Sequence, residues 1–521
     1  MSTQANEKSL LNNKSIAIIG GGIGGLTLAN ALLWQNSNPN NDGHHPLGLK
    51  RVTVYEQKPF FSSSAGAGFG LSPNGQVCLS SIGIEGYHDI LHPFQSMGRL
   101  TRDGTKIQNE SKLFQRVSDK HGFTFGGCKR ADLVQLLVEK LESYKTDFYD
   151  DVKEKGDVGG ECIRDGLVAE IKYSCKVNSI KNHNDKVELE FENGTKDTVD
   201  IVIGADGIHS FTAKALHIDD SEPIYAGANI FYGMIDNPDE VPFENDLISQ
   251  DGHMVTGPSP GHFLAFRVGP ADRKLQLWVA TYPAAAPPDN RRREFERDTG
   301  SSGTRMEDDL RDLLNKFPTV HPIHELVRHT KPENLLHFGL HYRKHKASWF
   351  EGRVVLLGDS CHATLPFVGQ GANQAIEDAI VLADCLAKTT ISTTSTPLRP
   401  QGTKTTTRKT ATTTTASKGY SETTDDSEED EEALRDMVAL HRAFSDYYRL
   451  RFQRTKRVVQ MANMISKGLH SRNFVLKWMM NCFQSQMAKG GMVFRQLERE
   501  IIEESPIKDY SNYLRPTYAH G

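Results

Sequence analysis

The feature that most constrains the fold of this 521-residue chain is a glycine pattern near its N-terminus. An apolar run, SIAII at 15–19, precedes Gly20-x-Gly22-x-x-Gly25, and a second apolar run, LTLANALL, follows it. Five glycines within residues 16–33 would destabilise a continuous membrane-spanning helix. The pattern instead predicts a buried strand, a tight turn and a helix whose N-terminus can approach a pyrophosphate.

A carboxylate stands at the end of the next apolar run, VTVYE, at Glu56. Such an acid can accept both hydroxyls of an adenine ribose, and it usually lies about 20 residues beyond the glycines. Here Glu56 lies 31 residues beyond Gly25, and the polar segment at 36–50 accounts for the excess. The combination predicts a dinucleotide-binding site, with a tight turn that binds no ligand as the alternative.

Two later strand ends carry further motifs. The run DIVIG leads into GADG at 204–207, which alone fits any strand followed by a turn. The run GRVVLLGD at 352–359 is followed by Pro366 and by GQGAN at 369–373, which opens a predicted helix. Asp359 can hold a ribityl hydroxyl, and the glycines let backbone N–H groups face the pyrimidine edge of a flavin.

In their order and spacing, these motifs resemble those of the single-component FAD-dependent monooxygenases of the para-hydroxybenzoate hydroxylase type. Salicylate hydroxylase, urate hydroxylase and zeaxanthin epoxidase-like members are the most similar in character. The resemblance covers about 14 to 387, with a tail motif, Tyr448-x-x-Arg451-x-x-Arg454, beyond it. It also identifies AGAGFGLSPNG at 65–75 as a flavin-contacting loop.

The resemblance implies FAD as cofactor, with NADPH or NADH as a transient co-substrate because the sequence holds only one GxGxxG. Its implied cofactor-binding residues are Gly20, Gly22, Ile23, Gly25, Glu56, Gln57, Gly68, Arg130, Asp206, Gly207, Asp359, Gly369, Gln370, Gly371, Ala372 and Asn373. The expected reaction inserts one oxygen atom from O2 into a small aromatic or olefinic substrate, by hydroxylation or epoxidation, through a flavin hydroperoxide. The protein must then bind and orient the reactants and exclude water from the site, and no catalytic side chain is identified.

The substrate is expected between the antiparallel sheet and the loop at Pro366, with Tyr232 as a pocket residue. Two alternatives remain open from the sequence. One is an FAD-dependent reductase or dehydrogenase on the same scaffold, and the other is an inactive FAD-binding interaction protein.

The expected fold is α/β, with a Rossmann-like FAD-binding domain of the glutathione-reductase type interleaved with an antiparallel β-sheet substrate domain, plus C-terminal helices. The predicted segments are a mobile leader at 1–13, the FAD-binding domain at 14–215 and 351–387 with parts of 80–130 on the substrate side, the substrate domain at 216–350, a disordered Thr-rich and acidic insertion at 388–432, and a helical segment at 433–521. Locally, Asn193-Gly194 predicts a hairpin, 262–281 predicts two antiparallel strands, and 372–387 and 433–467 predict helices.

The composition limits the classes of binding partner and the cellular compartment that we expect for this chain. The chain has 61 basic and 66 acidic residues, a formal net charge of −5 that argues against nucleic acid as a partner. Seven dispersed cysteines without C-x-x-C spacing, and the absence of a signal-peptide pattern, predict a cytoplasmic protein. No transmembrane segment is predicted, and the oligomeric state stays open.

Three sets of polar residues receive structural interpretations. His321, His324 and His329 lack a second ligand cluster, so no metal site is predicted. The basic run RLRFQRTKR at 449–457 is predicted to be a solvated helix face whose apolar side packs on the FAD-binding domain. His362, close to Asp359, is predicted to be structural rather than a general base.

Overall fold

The computed structural model describes residues 7–37, 47–61, 68–101, 103–111, 113–154, 168–236, 253–257, 262–270, 275–288, 303–392, 425–471, 473 and 499. The strands in these residues are β1 Glu7–Ser9, β2 Ser15–Ile19, β3 Arg51–Tyr55, β4 Gly68–Leu71, β5 Leu91–Pro93, β6 Ser96–Leu100, β7 Lys106–Ser111, β8 Gly126–Lys129, β9 Val168–Lys172, β10 Val177–Asn182, β11 Val187–Phe191, β12 Lys196–Val199, β13 Ile201–Gly204, β14 Ile224–Asp236, β15 His253–Gly257, β16 His262–Val268, β17 Leu275–Pro283, β18 Leu335–Tyr342, β19 Phe350–Glu351, β20 Val354–Leu356 and β21 Thr390–Ser392. The α-helices are α1 Ile23–Ser37, α2 Pro73–Ser81, α3 Leu113–His121, α4 Arg130–Glu154, α5 Phe211–Ala215, α6 Gly303–Leu314, α7 Ile323–His329, α8 Asp359–His362, α9 Gly371–Lys388 and α10 Asp425–His470. Short 3-10 turns occupy Gly86–Ile90, Pro332–Asn334 and Pro366–Val368.

A six-stranded sheet, in the order β19-β20-β13-β2-β3-β9, forms the first domain. All its neighbouring strands are parallel except β19 and β20. The wholly buried run of β2 fits a parallel sheet that is covered on both faces. Ile19 pairs with Tyr55 and with Gly204, which in turn pairs with Leu356. The segments that follow these four strands therefore meet at one edge of the sheet.

Different layers cover the two faces of this sheet. Helices α1, α4 and α9 pack on one face, and α10 packs on α9. The antiparallel sheet β10-β11-β12 covers the other face, where Phe191 stacks on Tyr55 with ring centroids 4.5 Å apart. Gly194, at φ +82°, lies in the turn between β11 and β12, so the predicted hairpin is confirmed. The layers confirm the predicted glutathione-reductase-type class.

A seven-stranded sheet, in the order β18-β14-β17-β16-β15-β6-β7, forms the second layer system. It is antiparallel except between β15 and β6, and it includes the predicted antiparallel pair β16 and β17. One face packs under α6 and α7 through residues such as Trp278 and Phe263. The other face, which carries Ile230 and Val279, packs against Leu365 beside the Pro366–Val368 turn. This second face is called the inner face below.

The structure corrects two predicted boundaries. The leader predicted at 1–13 contains β1, which pairs with β21, and Leu10 and Leu11 after it are fully buried. The insertion predicted to be disordered at 388–432 is structured at both ends, because β21 follows α9 and because α10 begins at Asp425. Residues 1–6 and 393–424 lie outside the described residues.

Among the described residues, no helix is long and apolar enough to span a membrane. Five cysteines of the described segments are buried and form no disulfide: Cys78, Cys128, Cys175, Cys361 and Cys385.

Candidate functional site

The glycine turn after β2 is shaped by close backbone contacts. Gly20 has φ +111°, and a Cβ there would lie 2.5 Å from the carbonyl oxygen of Ala205. A Cβ on Gly25 would lie 2.2 Å from the carbonyl oxygen of Gly20. Only glycine fits both positions, so the turn brings the start of α1, at the buried Ile23, close to the sheet edge.

Glu56 is fixed beneath this turn by backbone hydrogen bonds. The backbone N–H of Gly21 donates to Oε2 of Glu56 at 2.9 Å, and that of Lys58 donates to Oε1 at 2.9 Å. The side chain of Glu56 is buried, whereas the neighbouring Gln57 is exposed. The sheet edge therefore holds a carboxylate where the sequence predicts a ribose contact.

Arg130 connects the two ends of the cleft. It is the first residue of α4, and its Nη2 atom lies 3.8 Å from where a Cβ on Gly22 would stand. Burial lowers the pKa of Arg130, while the negative charges of Glu56 and Asp359 oppose that shift. A cation between these two carboxylates is well placed for the phosphates of a dinucleotide.

Asp359, at the start of α8, lies in an enclosed environment although water reaches its side chain. Burial raises its pKa, His362 and Arg130 oppose that rise, and Asp378 adds to it. Accessibility and desolvation occur together where a carboxylate faces an internal cleft. Asp359 thus faces the space that Arg130 borders.

Asp206 lies at the same edge, but both of its carboxylate oxygens are used within the protein. One accepts a hydrogen bond from Ser210 Oγ at 2.5 Å, and the other accepts from the N–H and Oγ1 of Thr212 at 2.9 and 3.0 Å. Burial raises the pKa of Asp206. The next residue, Gly207, has φ +78° and no heavy atom within 4 Å of a would-be Cβ. Asp206 therefore holds α5 and shapes the turn, and the open space is at Gly207.

The turn before α9 lines the other side of the cleft. Gly369 has φ +62° and nothing within 4 Å of a would-be Cβ, and the nearest atom at Gly371 is Thr364 Cγ2 at 3.8 Å. Gly70, in β4 beside Gly68, is equally open. These glycines leave a cradle that side chains would fill, next to the half-buried Ala372.

Gln370 and Asn373 shape this cradle through contacts within the protein. Asn373 Nδ2 donates to the carbonyl oxygens of Gly70 and Gly369 at 3.0 and 2.8 Å. Gln370 Nε2 donates to Ser72 Oγ at 2.9 Å. Both side chains are buried, so they join β4 to the turn instead of pointing into the open space.

A buried ionic network that the sequence interpretation missed supports the same turn. Arg451 Nε donates to Asp378 Oδ1 at 2.6 Å, and Arg454 Nε donates to Glu377 Oε2 at 2.6 Å. Asp378 Oδ2 lies 2.5 Å from His362 Nε2 and also accepts from the N–H of Gly358. Burial alone would raise the pKa of Asp378, but His362 and Arg451 hold it at about 2.

The network corrects the interpretation of the basic run at 449–457 as a solvated face, because Arg451 and Arg454 are buried ion-pair partners. The available signal was a pair of arginines three residues apart on one predicted helix, together with the adjacent acids Glu377 and Asp378 in a mostly apolar helix. His362 is buried against Asp378, which agrees with its structural interpretation. His321 packs between Phe263 and Phe317.

One predicted pocket residue, Tyr232, lies on the inner face, and the other, Pro366, begins the turn that packs against this face. Tyr232 stacks on Phe338 with ring centroids 6.0 Å apart, and both belong to the cluster that contains Leu365 and Phe367. Pro366 is exposed at the start of the 3-10 turn. The structure therefore places Tyr232 and the Pro366–Val368 turn along the same apolar layer.

The comparisons with known proteins agree with this geometry. A family model described as an FAD binding domain matches residues 163–398. A 3-amino-4-hydroxybenzoate 2-monooxygenase from Streptomyces platensis is 28% identical over 388 residues, covering 72% of this chain and 80% of the relative. A 6-hydroxynicotinate 3-monooxygenase from Pseudomonas fluorescens is 29% identical over 383 residues, covering 71% and 82%. Klebsiella pneumoniae HpxO, solved with FAD and uric acid, matches with a TM-score of 0.62 and 19% identity over 94% of this chain and 97% of that one.

The open glycine cradle, the carboxylates at Glu56 and Asp359 and the cation between them fit FAD, so fold and site define an FAD-binding flavoprotein. The family model matches part of the chain as an FAD binding domain, and the relatives to which the chain is similar are FAD-dependent monooxygenases. The recognition, the cofactor and the enzyme class predicted from the sequence are confirmed.

Proposed function

We propose that this enzyme hydroxylates a small aromatic molecule held between the inner face and the Pro366–Val368 turn, with NADPH or NADH as reductant. The observation that carries the proposal is the shared apolar cluster of these two elements. Leu365 and Phe367 pack with Ile230, Tyr232 and Val279, directly beside the glycine cradle at Gly369. An aromatic ring in this layer would lie next to the cofactor.

The chain's own residues would bind and orient rather than react. Glu56 would accept the ribose hydroxyls, Arg130 would face the phosphates, and Asp359 would hold a ribityl hydroxyl. FAD, when bound, supplies the redox and oxygen chemistry. The apolar inner face would exclude water from the reacting ring.

The relatives support an aromatic substrate over an olefin. The names of the two reported relatives specify 3-amino-4-hydroxybenzoate and 6-hydroxynicotinate, both aromatic rings that carry a hydroxyl group. The stacked pair Tyr232 and Phe338 supports the same preference, because aromatic side chains favour aromatic ligands in offset or edge-on packing.

The test is a panel screen with purified, FAD-loaded protein. Hydroxybenzoates, neutral phenols, purines and terpenoid olefins are each assayed for accelerated oxidation of NADPH and of NADH, for hydrogen peroxide, and for products with one added oxygen atom. We expect at least one aromatic compound to accelerate oxidation and yield a hydroxylated product with little peroxide. Conversion of olefins alone, or turnover without oxygen incorporation, contradicts the proposal and favours an epoxidase or a reductase.

We also propose a cytoplasmic location, supported by the five buried free thiols. Subcellular fractionation in the source cells tests it, and recovery with secreted proteins contradicts it.

A further inference from the structure

Arg99 is a cation on the inner face. In β6, Met97 belongs to the inner-face cluster and Leu100 to the cluster on the opposite face, so the alternation of a strand places Arg99 with Met97. The side chain is half-buried, and burial lowers its pKa. Within the described residues, no carboxylate or other acceptor pairs with its guanidinium.

Two polar residues on neighbouring strands, Thr256 and His262, lie near Arg99 on the inner face. Thr256 of β15 is its register partner, and Thr256 Oγ1 lies 3.0 Å from His262 Nε2. His262 lies two residues from Leu264 of the inner-face cluster, and its ring meets that of Phe367 with centroids 6.1 Å apart. Arg99, Thr256 and His262 are called the polar corner.

The histidines near this corner are neutral at physiological pH. Burial lowers the pKa of His262 to about 4, with a further contribution from His470. Burial also lowers the pKa of His470 to about 4, and its Nε2 lies 2.9 Å from Thr281 Oγ1. Arg99 is therefore the positive charge that this corner offers to a ligand.

We propose that Arg99 is a specificity-determining residue that binds the carboxylate of an aromatic carboxylic acid substrate, an inference that rests on the proposed hydroxylation. A guanidinium binds a carboxylate through two parallel N–H···O bonds, which fixes orientation as well as position. Partial desolvation of a cation that has no counter-ion among the described residues is unfavourable, and an anionic ligand relieves that cost. The Thr256 hydroxyl beside it donates to the carbonyl oxygen of Phe263 at 3.2 Å, so Arg99 itself supplies the donors for a carboxylate.

The register fixes how the ring would lie. Tyr232, Val279, Leu264, Thr256 and Arg99 form one row of register partners across five strands. With about 4.8 Å between strands, the apolar part of this row begins one strand away from the Thr256 hydroxyl. A carboxylate at Arg99 would therefore direct its ring along the row, towards Leu264 and Phe367.

The experiment compares carboxylates with matched neutral probes. The probes are 3-amino-4-hydroxybenzoate and 6-hydroxynicotinate, each with its carboxamide, and their Kd values come from changes in the flavin absorbance of FAD-loaded protein. We expect wild type to prefer at least one carboxylate. Arg99→Met should weaken binding of that carboxylate by about 10- to 100-fold and leave the amide within about threefold, because only the charge-assisted bonds are lost. Arg99→Lys, which keeps the charge, should fall between.

Arg116 provides the matched control. It lies on α3, which packs near β6, and its side chain is exposed. Arg116→Met removes the same charge from the same region and should leave the Kd values of both the carboxylate and the carboxamide unchanged. Normal FAD content and a normal melting temperature show that Arg99→Met is folded. If it is not folded, the binding comparison is made with Arg99→Lys instead.

Four results overturn the inference, and three of them concern the probes: wild type binds neither carboxylate, wild type binds carboxylate and amide equally, or Arg99→Met keeps the wild-type ratio. A raised KM for NADPH with unchanged carboxylate affinity also overturns it, since Arg99 then serves the nucleotide. Hydroxylation of neutral phenols or purines would leave the proposed function standing in each case. Failure of every aromatic compound to be hydroxylated removes the proposed function itself.

Discussion

Asp359 is one of three charged side chains that border the proposed cofactor cleft. Its carboxylate is accessible to water, yet burial raises its pKa, and Arg130 lies close enough to oppose the shift. The negative charge of Glu56, at the far side of the glycine turn, also acts on Arg130 and opposes the lowering of its pKa by burial. Three charges on three different elements thus surround one space, although they are distant in the sequence.

Replacing Asp359 with alanine should weaken FAD binding. The loss of a charged acceptor for a hydroxyl corresponds to about 1.5–3 kcal/mol, or about 10- to 150-fold in Kd. Titration of apoprotein with FAD measures the change. Asp384→Ala is the control, because Asp384 lies on α9 and forms an exposed pair with Lys388 at 2.7 Å. Equal FAD affinity of Asp359→Ala and the control would exclude Asp359 from the cofactor site.

At the scale of elements, α10 stabilises the cleft from outside the sheet. Arg451 and Arg454 reach Glu377 and Asp378 on α9, and Asp378 in turn holds the Gly358 N–H just before Asp359. A continuous series of ion pairs and hydrogen bonds therefore connects the tail motif to the cleft. Leu382 of α9 belongs to the same buried cluster as Leu440 and Phe444 of α10.

Arg451→Met should strongly destabilise the protein. Breaking a buried ion pair from one side leaves Asp378 and Glu377 short of a countercharge, which typically costs about 3–5 kcal/mol. Denaturant unfolding of the FAD-loaded protein measures the loss. Arg449→Met, two residues away in an exposed pair with Asp446, should change stability by less than about 1 kcal/mol. Similar midpoints for the two variants would show that the network adds little stability.

The ends of the insertion provide a second test at this scale. Replacing 393–424 with a short Gly/Ser linker should preserve FAD content and melting temperature, since loop-closure cost varies slowly with length. Deleting 388–432 instead removes β21, the partner of β1, and the start of α10. The longer deletion should lower the melting temperature and the FAD content. Loss of FAD from the shorter deletion would show that 393–424 contributes to the fold.

At the scale of the whole molecule, five histidines that are buried or half-buried make folding sensitive to acid. Burial lowers the pKa of His262, His321, His337 and His470 to about 4 and that of His345 to about 3. Below pH 6.5 these histidines become protonated in the unfolded chain, whereas in the folded chain they stay neutral until the pH approaches their lowered pKa values. Stability should therefore fall as the pH drops from about 6.5 to about 4.

His321→Asn should reduce this pH dependence. Asparagine keeps an acceptor for the Ile323 N–H, which His321 Nδ1 accepts at 3.2 Å, but it does not titrate. The slope of unfolding free energy against pH should fall by up to about 1.4 kcal/mol per pH unit between pH 6.5 and 4. Chemical unfolding at several pH values measures it. His217→Asn is the control, since His217 is largely exposed, and an identical slope in both variants would contradict the assignment.

The sequence predicted the glycine turn, Glu56 and the Asp359 turn because each follows from local chemistry at a strand end. It did not predict the burial of Arg451 and Arg454, because charged residues are exposed unless a distant partner is known, and theirs lie on another helix. Arg99 and His262 were missed for a related reason. Which face of a strand points inward depends on the register with strands far away in the sequence.

The network between α9 and α10 also sets an order of assembly during synthesis. Asp378 leaves the ribosome about 75 residues before Arg454 does, a delay of about 4–15 s at ordinary elongation rates. During that interval the strands β2, β3, β13 and β20 are all available, but the carboxylates beneath the Asp359 turn have no countercharge. These carboxylates therefore gain their countercharge only after α10 has been synthesised, so that loading of the cofactor should wait for this helix.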